Sequence, residues 1–345
     1  MARLTRPIAL FGLALFLVTL WLALTTLGST NSGPLAVFVD NLSTFTTIFL
    51  GIFIEAAPFL LLGTLGSGLV EVYFNKDDLL KLIPRNPLAG AVVGAMLGMF
   101  FPVCECGVVP LTRRLFKKGL PVSVGIAFLL AAPVMNPIVI ASTAAAFGIG
   151  PILFLRVGFT LVIAILTALI FAAQKHPEKL LNANAWAAIS GGSEAASITL
   201  EHPEIKVSFR AGLPRVLDIV VDEFFEMGRY LILGSLLAAL MQTSVPQWAL
   251  LAVSNGPVIS VLAMITLAVV LSVCSTVDAF IALAFAGTFS TGSVLAFLVF
   301  GPMVDIKSTL LFLRVFKPKA VAYLILLPLA MTILFAVFMN LNLGW

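Results

Sequence analysis

Residues 87–118 read PLAGAVVGAMLGMFFPVCECGVVPLTRRLFKK, and the path of this stretch through a membrane decides the fold. Residues 88–103 are apolar and nearly long enough to cross a bilayer as a helix. A crossing would place the basic residues that follow outside the cell, whereas Lys and Arg in short loops are enriched on the cytoplasmic side. These basic residues are Arg113, Arg114, Lys117 and Lys118. We therefore predict a re-entrant hairpin over residues 88–116, which breaks at 102–107 and returns to the cytoplasm.

The composition of the whole chain indicates a membrane protein. Of its 345 residues, 61% are hydrophobic and 10% are charged, whereas about a quarter of an average soluble chain is charged. Long apolar runs recur, and a bilayer admits only helices or closed barrels as spanning structures. Runs this long exclude a barrel, so we predict an all-α polytopic membrane protein. The net charge is +4, and the basic residues lie beside the apolar runs. There they indicate the topology of the chain in the membrane, not nucleic-acid binding.

The chain contains an internal repeat. EAAPFLLLG at 55–63 matches EMGRYLILG at 226–234, and the interval from Pro87 to Cys104 equals that from Pro257 to Cys274, 17 residues in both cases. LFLRV also occurs twice, at 153–157 and 311–315. Its offset of 158 residues, against 169 to 171 elsewhere, predicts an insertion of 11 residues in the first half.

The repeat and the basic residues together predict the topology. Arg3 and Arg6 place the N-terminus in the cytoplasm. Full spans are predicted near 8–27, 43–72, 120–146, 151–173, 218–242, 291–313 and 320–341, with a second hairpin over 257–290 that enters from outside. Three full spans separate equivalent points of the two halves. Because three is an odd number, the halves are predicted to be inverted.

Four parts follow along the chain. We predict an N-terminal extra transmembrane helix and outer loop over 1–42, a first transmembrane repeat over 43–173, a cytoplasmic linker over 174–215 and a second repeat over 216–345. The linker holds both histidines, His176 and His202. They are far apart and no cysteine lies nearby, so we interpret them as part of a solvated linker, not as a metal site.

Broken helices in inverted repeats are typical of secondary transporters, whose substrates bind at the breaks. Pro133 and Pro302 occupy matching positions in the two halves, and Asn136 and Asp305 follow them at the same spacing. These residues either line a solute pathway or cap a half-helix.

Glu55 lies near the middle of its predicted span, where a charge costs at least about 2.5–3.5 kcal/mol. Its repeat partner is Glu226, which we expect nearer the cytoplasm. Both are candidates for proton coupling or solute contact. The alternative is an interhelical hydrogen bond or an ion pair, for which Arg156 and Arg229 are available.

All three cysteines fall at the predicted hairpin tips. Cys104 and Cys106 flank Glu105, and Cys274 is the repeat partner of Cys104. In an extended tip two thiolates would face one side and, with Cys274, could form a site for soft species such as cuprous ion or trivalent arsenic. Glu105 and Asp278 could then exchange protons there. The alternative is a set of small buried residues in packed turns.

The stretch FPVCECGVVPLTRRLFKKGLPVSVGIAFLLAAPVMNP at 101–137 resembles the signature of a widespread bacterial and archaeal family of predicted permeases. The resemblance covers most of the chain and implies a multi-spanning permease in which the cysteine-bearing segment is central. Some relatives export trivalent organoarsenicals, and most are uncharacterised. The family's cysteine motif falls at Cys104 and Cys106, its basic stretch at 113–118 and its proline-asparagine turn at Pro133 and Asn136.

We therefore predict a secondary permease of the inner membrane that moves a small solute or a soft metal or metalloid species. It would contact membrane lipid, bind no nucleic acid and need no cofactor. No nucleotide-binding motif is recognisable, which favours a proton gradient or membrane potential as the driving force. Two alternatives remain, a membrane thiol-disulfide or electron-transfer protein and a non-transporting membrane assembly partner.

Overall fold

The computed structural model describes residues 34–73, 84, 86–101, 103–174, 209–244 and 256–342. Within these residues the fold is helical. The helices are α1 (Pro34–Tyr73), α2 (Pro87–Phe100), α3 (Glu105–Lys117), α4 (Val122–Met135), α5 (Pro137–Phe147), α6 (Pro151–Ala172), α7 (Phe209–Ser244), α8 (Ile259–Leu271), α9 (Asp278–Phe285), α10 (Thr291–Met303), α11 (Ile306–Val315) and α12 (Pro318–Asn342).

Six helical segments in the described part are long and apolar enough to cross a membrane, at Val39–Tyr73, Val122–Phe147, Pro151–Ala172, Gly212–Thr243, Thr291–Val315 and Pro318–Asn342. They confirm six of the seven predicted spans. The remaining one, at 8–27, lies outside the described residues, as do both linker histidines. Two segments are interrupted, one between α4 and α5 and the other between α10 and α11.

The inversion of the two halves is visible in α1 and α7, the helices that carry the matching segments at 55–63 and 226–234. They pack against each other along their length. Gly68 of α1 faces Val216 of α7, because a Cβ added to Gly68 would lie 3.2 Å from the Val216 side chain. Further along α1, Tyr73 faces Gly212, which lies earlier in α7. Advancing along α1 therefore means going back along α7. The matching helices are antiparallel, as the predicted inversion requires.

The first hairpin enters and leaves the protein at the same depth. Asn86 caps α2, and Phe101 ends it in an extended conformation before α3 begins. A Cβ added to Gly90 would lie 3.2 Å from Ser123 Oγ, and one added to Gly98 would lie 2.7 Å from the nitrogen of Ala132, so α2 runs parallel to α4. Since α4 starts five residues after α3 ends, the start of α2 and the end of α3 lie on one side. The re-entrant prediction is confirmed.

The second hairpin repeats this geometry. After α8, Ser272 adopts a left-handed conformation with φ of 44°, and the chain turns into the short helix α9. Ser293 of α10 donates to Ser260 of α8 at 2.8 Å, and Gly301 approaches Ala268. These two contacts are the repeat counterparts of the contacts that Gly90 and Gly98 make with α4. The hairpins therefore share one packing register.

The structure corrects one part of the repeat alignment. Arg156 lies in the full span α6, whereas Arg314 lies near the end of the half-helix α11. The counterpart of α11 is α5, since both follow a break, and α12 corresponds to α6. The two LFLRV segments therefore occupy non-equivalent helices, and the predicted insertion of 11 residues is wrong. Leucine-rich helical sequences often match by chance, and the similarity of the two LFLRV segments is a chance match of this kind.

Candidate functional site

The breaks of both halves meet inside the protein, at a place that we call the crossing. Four half-helices begin there, α3, α5, α9 and α11, where α3 packs against α11 and α5 packs against α9. The first turn of a helix has backbone N–H groups without intrahelical partners and carries a partial positive charge. The crossing is therefore a polar region enclosed by apolar helices.

Two polar side chains fix the half-helices that follow the breaks. Asn136 accepts a hydrogen bond from the nitrogen of Val139 at 2.9 Å and donates to the oxygen of Val103 at 3.2 Å. Asp305 accepts from the nitrogen of Ser308 at 2.6 Å, which completes a capping box. Both therefore act as caps. Pro133 is buried inside α4, three residues before the break.

The three thiols lie together at the crossing. Cys104, Cys106 and Cys274 are free and at most 2% exposed, and the Cys104 thiol is within hydrogen-bonding range of the other two. The predicted approach of the two hairpin tips is confirmed. The extended tip that we expected is correct only for Cys104, because Cys106 already belongs to the first turn of α3.

Throughout the described part of the chain, no three or more His, Cys, Asp and Glu side chains are arranged to hold a metal ion. Cys104 is the extended residue before α3 and Cys106 belongs to its first turn, so the two thiols do not diverge as on a regular helix, and the Cys104 thiol reaches that of Cys106.

A buried lysine that we did not predict also lies at the crossing. Lys307 is 1% exposed, and its Nζ lies 3.4 Å from Asp305 Oδ2 and 3.6 Å from Glu105 Oε1. Both carboxylates are also buried, at 2% and 3% exposure. The sequence did indicate that Lys307 has a role, because this residue falls within the predicted span 291–313, where a charge is costly. The repeat places Ile138 at the equivalent position, two residues after Asn136.

Glu55 reaches the same place from α1. Its half-buried carboxylate lies near the Lys307 ammonium and within hydrogen-bonding range of Thr276. Close helix packing makes this reach possible, because Gly63 of α1 meets Gly107 of α3 without side chains between them. Neither of the expected arginine partners is used. Arg229 donates to a backbone carbonyl, and Arg156 bonds elsewhere.

Asp278 is engaged by Arg156 and does not serve the thiols. The guanidinium donates two hydrogen bonds to the carboxylate, at 3.1 and 2.6 Å, and a third to Thr143 at 2.8 Å. The charged side chains are 1% and 3% exposed. This bidentate pair connects α9 to α5 and α6, and it corrects our expectation that Asp278 handles protons beside the cysteines.

Glu226 also lies away from the thiols, as its expected position suggested. It pairs with Arg113 at 3.1 Å and with Arg314 at 2.6 Å, at the far ends of α3 and α11. The crossing therefore unites Glu55, Cys104, Glu105, Cys106, Cys274 and Asp305 with the unexpected Lys307. Asp278, at the start of α9, is instead paired with Arg156, Pro133 lies in α4 before the break, and Glu226 lies away from the crossing.

The arrangement of broken helices around a buried polar centre defines a membrane transporter. In agreement with this, residues 41–341 match a protein family described as predicted permease. The chain belongs to this family of predicted permeases.

Two relatives resemble the chain over most of its length. UPF0718 protein YcgR of Bacillus subtilis (strain 168) is 42% identical over 280 residues, which cover 81% of this chain and 91% of that protein. A Streptococcus mutans protein named as a putative two-component membrane permease complex subunit is 38% identical over 275 residues, or 79% and 87% of the two chains. A Methanocaldococcus jannaschii protein is 31% identical over 112 residues, about a third of each chain. No solved structure matches.

Proposed function

We propose that this permease is a secondary transporter of the cell membrane that exports a small thiophilic solute, such as a trivalent organoarsenical, through the crossing. The observation that carries the proposal is the meeting of all three thiols beside Lys307 and its carboxylate partners. Thiol sulfur is the protein ligand that soft metals and metalloids prefer. The cysteines come from both hairpins, so a solute bound to them touches both halves at once.

The polar groups of the crossing suit a hydroxyl-bearing or amine-bearing solute. Within the described residues, Glu105 Oε2 and Ser275 Oγ are buried and have no hydrogen-bond partner. A buried polar atom left without a partner costs about 1–3 kcal/mol. A solute that donates to these oxygens removes that cost, which supports binding at this place.

Lys307 and Glu55 supply the coupling in this proposal. Lys307 pairs with both Glu105 and Asp305, and Glu55 is the carboxylate on the exposed side of the group. A half-buried carboxylate beside a lysine can gain or lose a proton as the solute binds. We therefore propose that the protein exchanges solute for protons. In this proposal the N-terminus and the basic ends of the first hairpin lie in the cytoplasm.

A second component is part of the proposal. The Streptococcus mutans relative is named as a subunit of a two-component membrane permease complex. Its similarity over most of both chains supports a partner protein for this chain as well.

Growth of a deletion strain tests the proposal directly. We expect the strain to be sensitive to a trivalent phenylarsenical, and the intact chain to restore growth. Cys104→Ser and Cys274→Ser should both fail to do so, since each removes a sulfur ligand from one hairpin. Thr266→Ala, which changes an exposed residue on α8, is the matched control.

Full rescue by both cysteine variants would contradict the thiol site. Parallel growth on copper, zinc and sulfur compounds would then identify another solute. A Cys104–Cys274 disulfide that forms and disappears in growing cells would favour the thiol-disulfide alternative instead.

A further inference from the structure

The two half-helices that carry the crossing residues also share a charged contact at their other ends. Helix α3 begins at the thiols and carries Arg113 and Arg114 in its last turns, and α11 carries Lys307 in its first turn and Arg314 in its last. At about 1.5 Å per residue, α3 places the thiols and these arginines roughly 10–15 Å apart. The charged group at the far end, which we call the clamp, consists of Glu71, Arg113, Arg114, Glu223, Glu226 and Arg314.

Glu226 of α7 is the central residue of the clamp. It accepts a hydrogen bond from Arg113 Nη1 at 3.1 Å through one carboxylate oxygen. Its other oxygen accepts from Arg314 Nε at 3.0 Å and Nη2 at 2.6 Å. One carboxylate thus joins α3 of the first half to α11 of the second half.

A second group of charges in the clamp holds α3 against the long helices α1 and α7. Glu223 is 2% exposed, lies 3.4 Å from Arg114 Nε and accepts a hydrogen bond from Ser67 of α1 at 2.5 Å. Arg114 also lies 3.6 Å from Glu71. This group connects α1, α3 and α7.

The other pair of half-helices ends in a different way. Helices α5 and α9 end at Phe147 and Phe285, which pack with Ile152 and Ile281 in an apolar cluster. The only described charges between these helices and their neighbours are Arg156 and Asp278, and these lie at the start of α9. Charge therefore holds one end of the molecule together, and apolar contact holds the other.

Exposure distinguishes the Glu226–Arg314 pair of the clamp from the Arg156–Asp278 pair. The side chains of Glu226 and Arg314 are 18% and 23% exposed, against 1% for Arg156 and 3% for Asp278. A partly exposed ion pair can exchange its partner for water at small cost, whereas a fully buried one cannot. Within the clamp, the Glu226–Arg314 pair is therefore the contact that can open and close repeatedly, whereas Arg113 is 2% exposed.

We infer that Glu226 is the gating residue on the basic side of the permease and that it closes the passage between α3 and α11 by bridging Arg113 and Arg314. The inference rests on the proposed function, because it takes the crossing as the solute site. To let a solute enter the crossing from this side, Glu226 must release at least one of the two arginines. The present structure is closed at this gate.

The chain contains its own reporter for the gate. All three cysteines of the chain lie at the crossing, so a membrane-impermeant maleimide reports how easily the crossing is reached from either side. In vesicles of both orientations, the intact chain should label slowly. Glu226→Gln should raise the labelling rate from the basic side by roughly tenfold, which corresponds to about 1.4 kcal/mol in the opening equilibrium.

Other variants separate gating from loss of structure. Glu226→Asp keeps the charge and should label slowly, whereas Arg314→Gln should reproduce the one-sided increase. Asp222→Asn changes an exposed acid on the same helix and should behave as the intact chain. Labelling of Glu226→Gln at the original rate, or an equal increase from both sides, would overturn the inference.

Labelling requires no solute, so the result is independent of the solute proposal. One-sided opening in Glu226→Gln without protection of the thiols by the phenylarsenical would support the gate and contradict the thiophilic solute. If the phenylarsenical protects the thiols but Glu226→Gln labels at the original rate, the result would support the thiophilic solute and contradict the gate.

Discussion

Replacing Asp278 by Asn tests the energetic role of the buried pair with Arg156. The substitution keeps the shape of the side chain but leaves the guanidinium without its counter-charge at 1% exposure. Two charge-assisted hydrogen bonds, at 3.1 and 2.6 Å, are weakened or lost. At about 1.5–3 kcal/mol for each bond, the loss is about 3–6 kcal/mol, in line with about 3–5 kcal/mol for breaking a buried ion pair.

The assay is thermal unfolding of the purified protein in detergent. We expect Asp278→Asn to lower the apparent Tm by roughly 10 °C. The double variant Arg156→Met with Asp278→Leu should recover most of this loss, since an apolar pair of similar volume avoids both desolvation costs. A Tm for Asp278→Asn equal to that of the exposed control Asp222→Asn would refute the reasoning, because a buried charge cannot lose its partner at no cost.

Four further predictions concern the crossing and the hairpin. Glu55→Gln should fold and insert normally but lose transport, because it keeps the shape and removes the titratable charge; full activity across pH would reduce Glu55 to a packing role. Lys307→Met should lower the Tm and abolish growth rescue, because it leaves two buried carboxylates without a counter-ion; an unchanged Tm would contradict this. Gly63→Ala should reduce the yield of folded protein, because its Cβ would lie 2.2 Å from the backbone of α3, whereas Gly66→Ala, with nothing within 4 Å, should not; equal yields would show that α1 can move away. A cysteine at Lys117 should react with an impermeant maleimide only from the cytoplasmic face, and reaction from outside would overturn the predicted orientation.

The path of the chain was predictable because strong physical costs determine it. Basic residues at 113–118 cannot easily lie outside, and this excluded a crossing over 88–103. Equal spacings in the two halves then predicted a second hairpin. Both hairpins are present, and Cys104 and Cys274 meet as the repeat symmetry indicated.

The pairing of charges was not predictable from these arguments. Depth in the membrane follows from position along a helix, but the direction in which a side chain points depends on how the helices are rotated and packed. Arg156 was therefore available to Glu55 by depth and yet bonds to Asp278. Lys307 was missed for another reason, since one lysine among many apolar residues hardly changes the average hydropathy of a span.

The lysine at 307 and the isoleucine at 138 occupy equivalent places in the two halves. In a transporter built from inverted repeats, the two access states arise when the halves exchange conformations. With identical halves these states would have equal free energies, and neither would be preferred at rest. Lys307 is one of the charges that only one half carries, so it helps to make the two states unequal in free energy and to give the unloaded protein a preferred resting side.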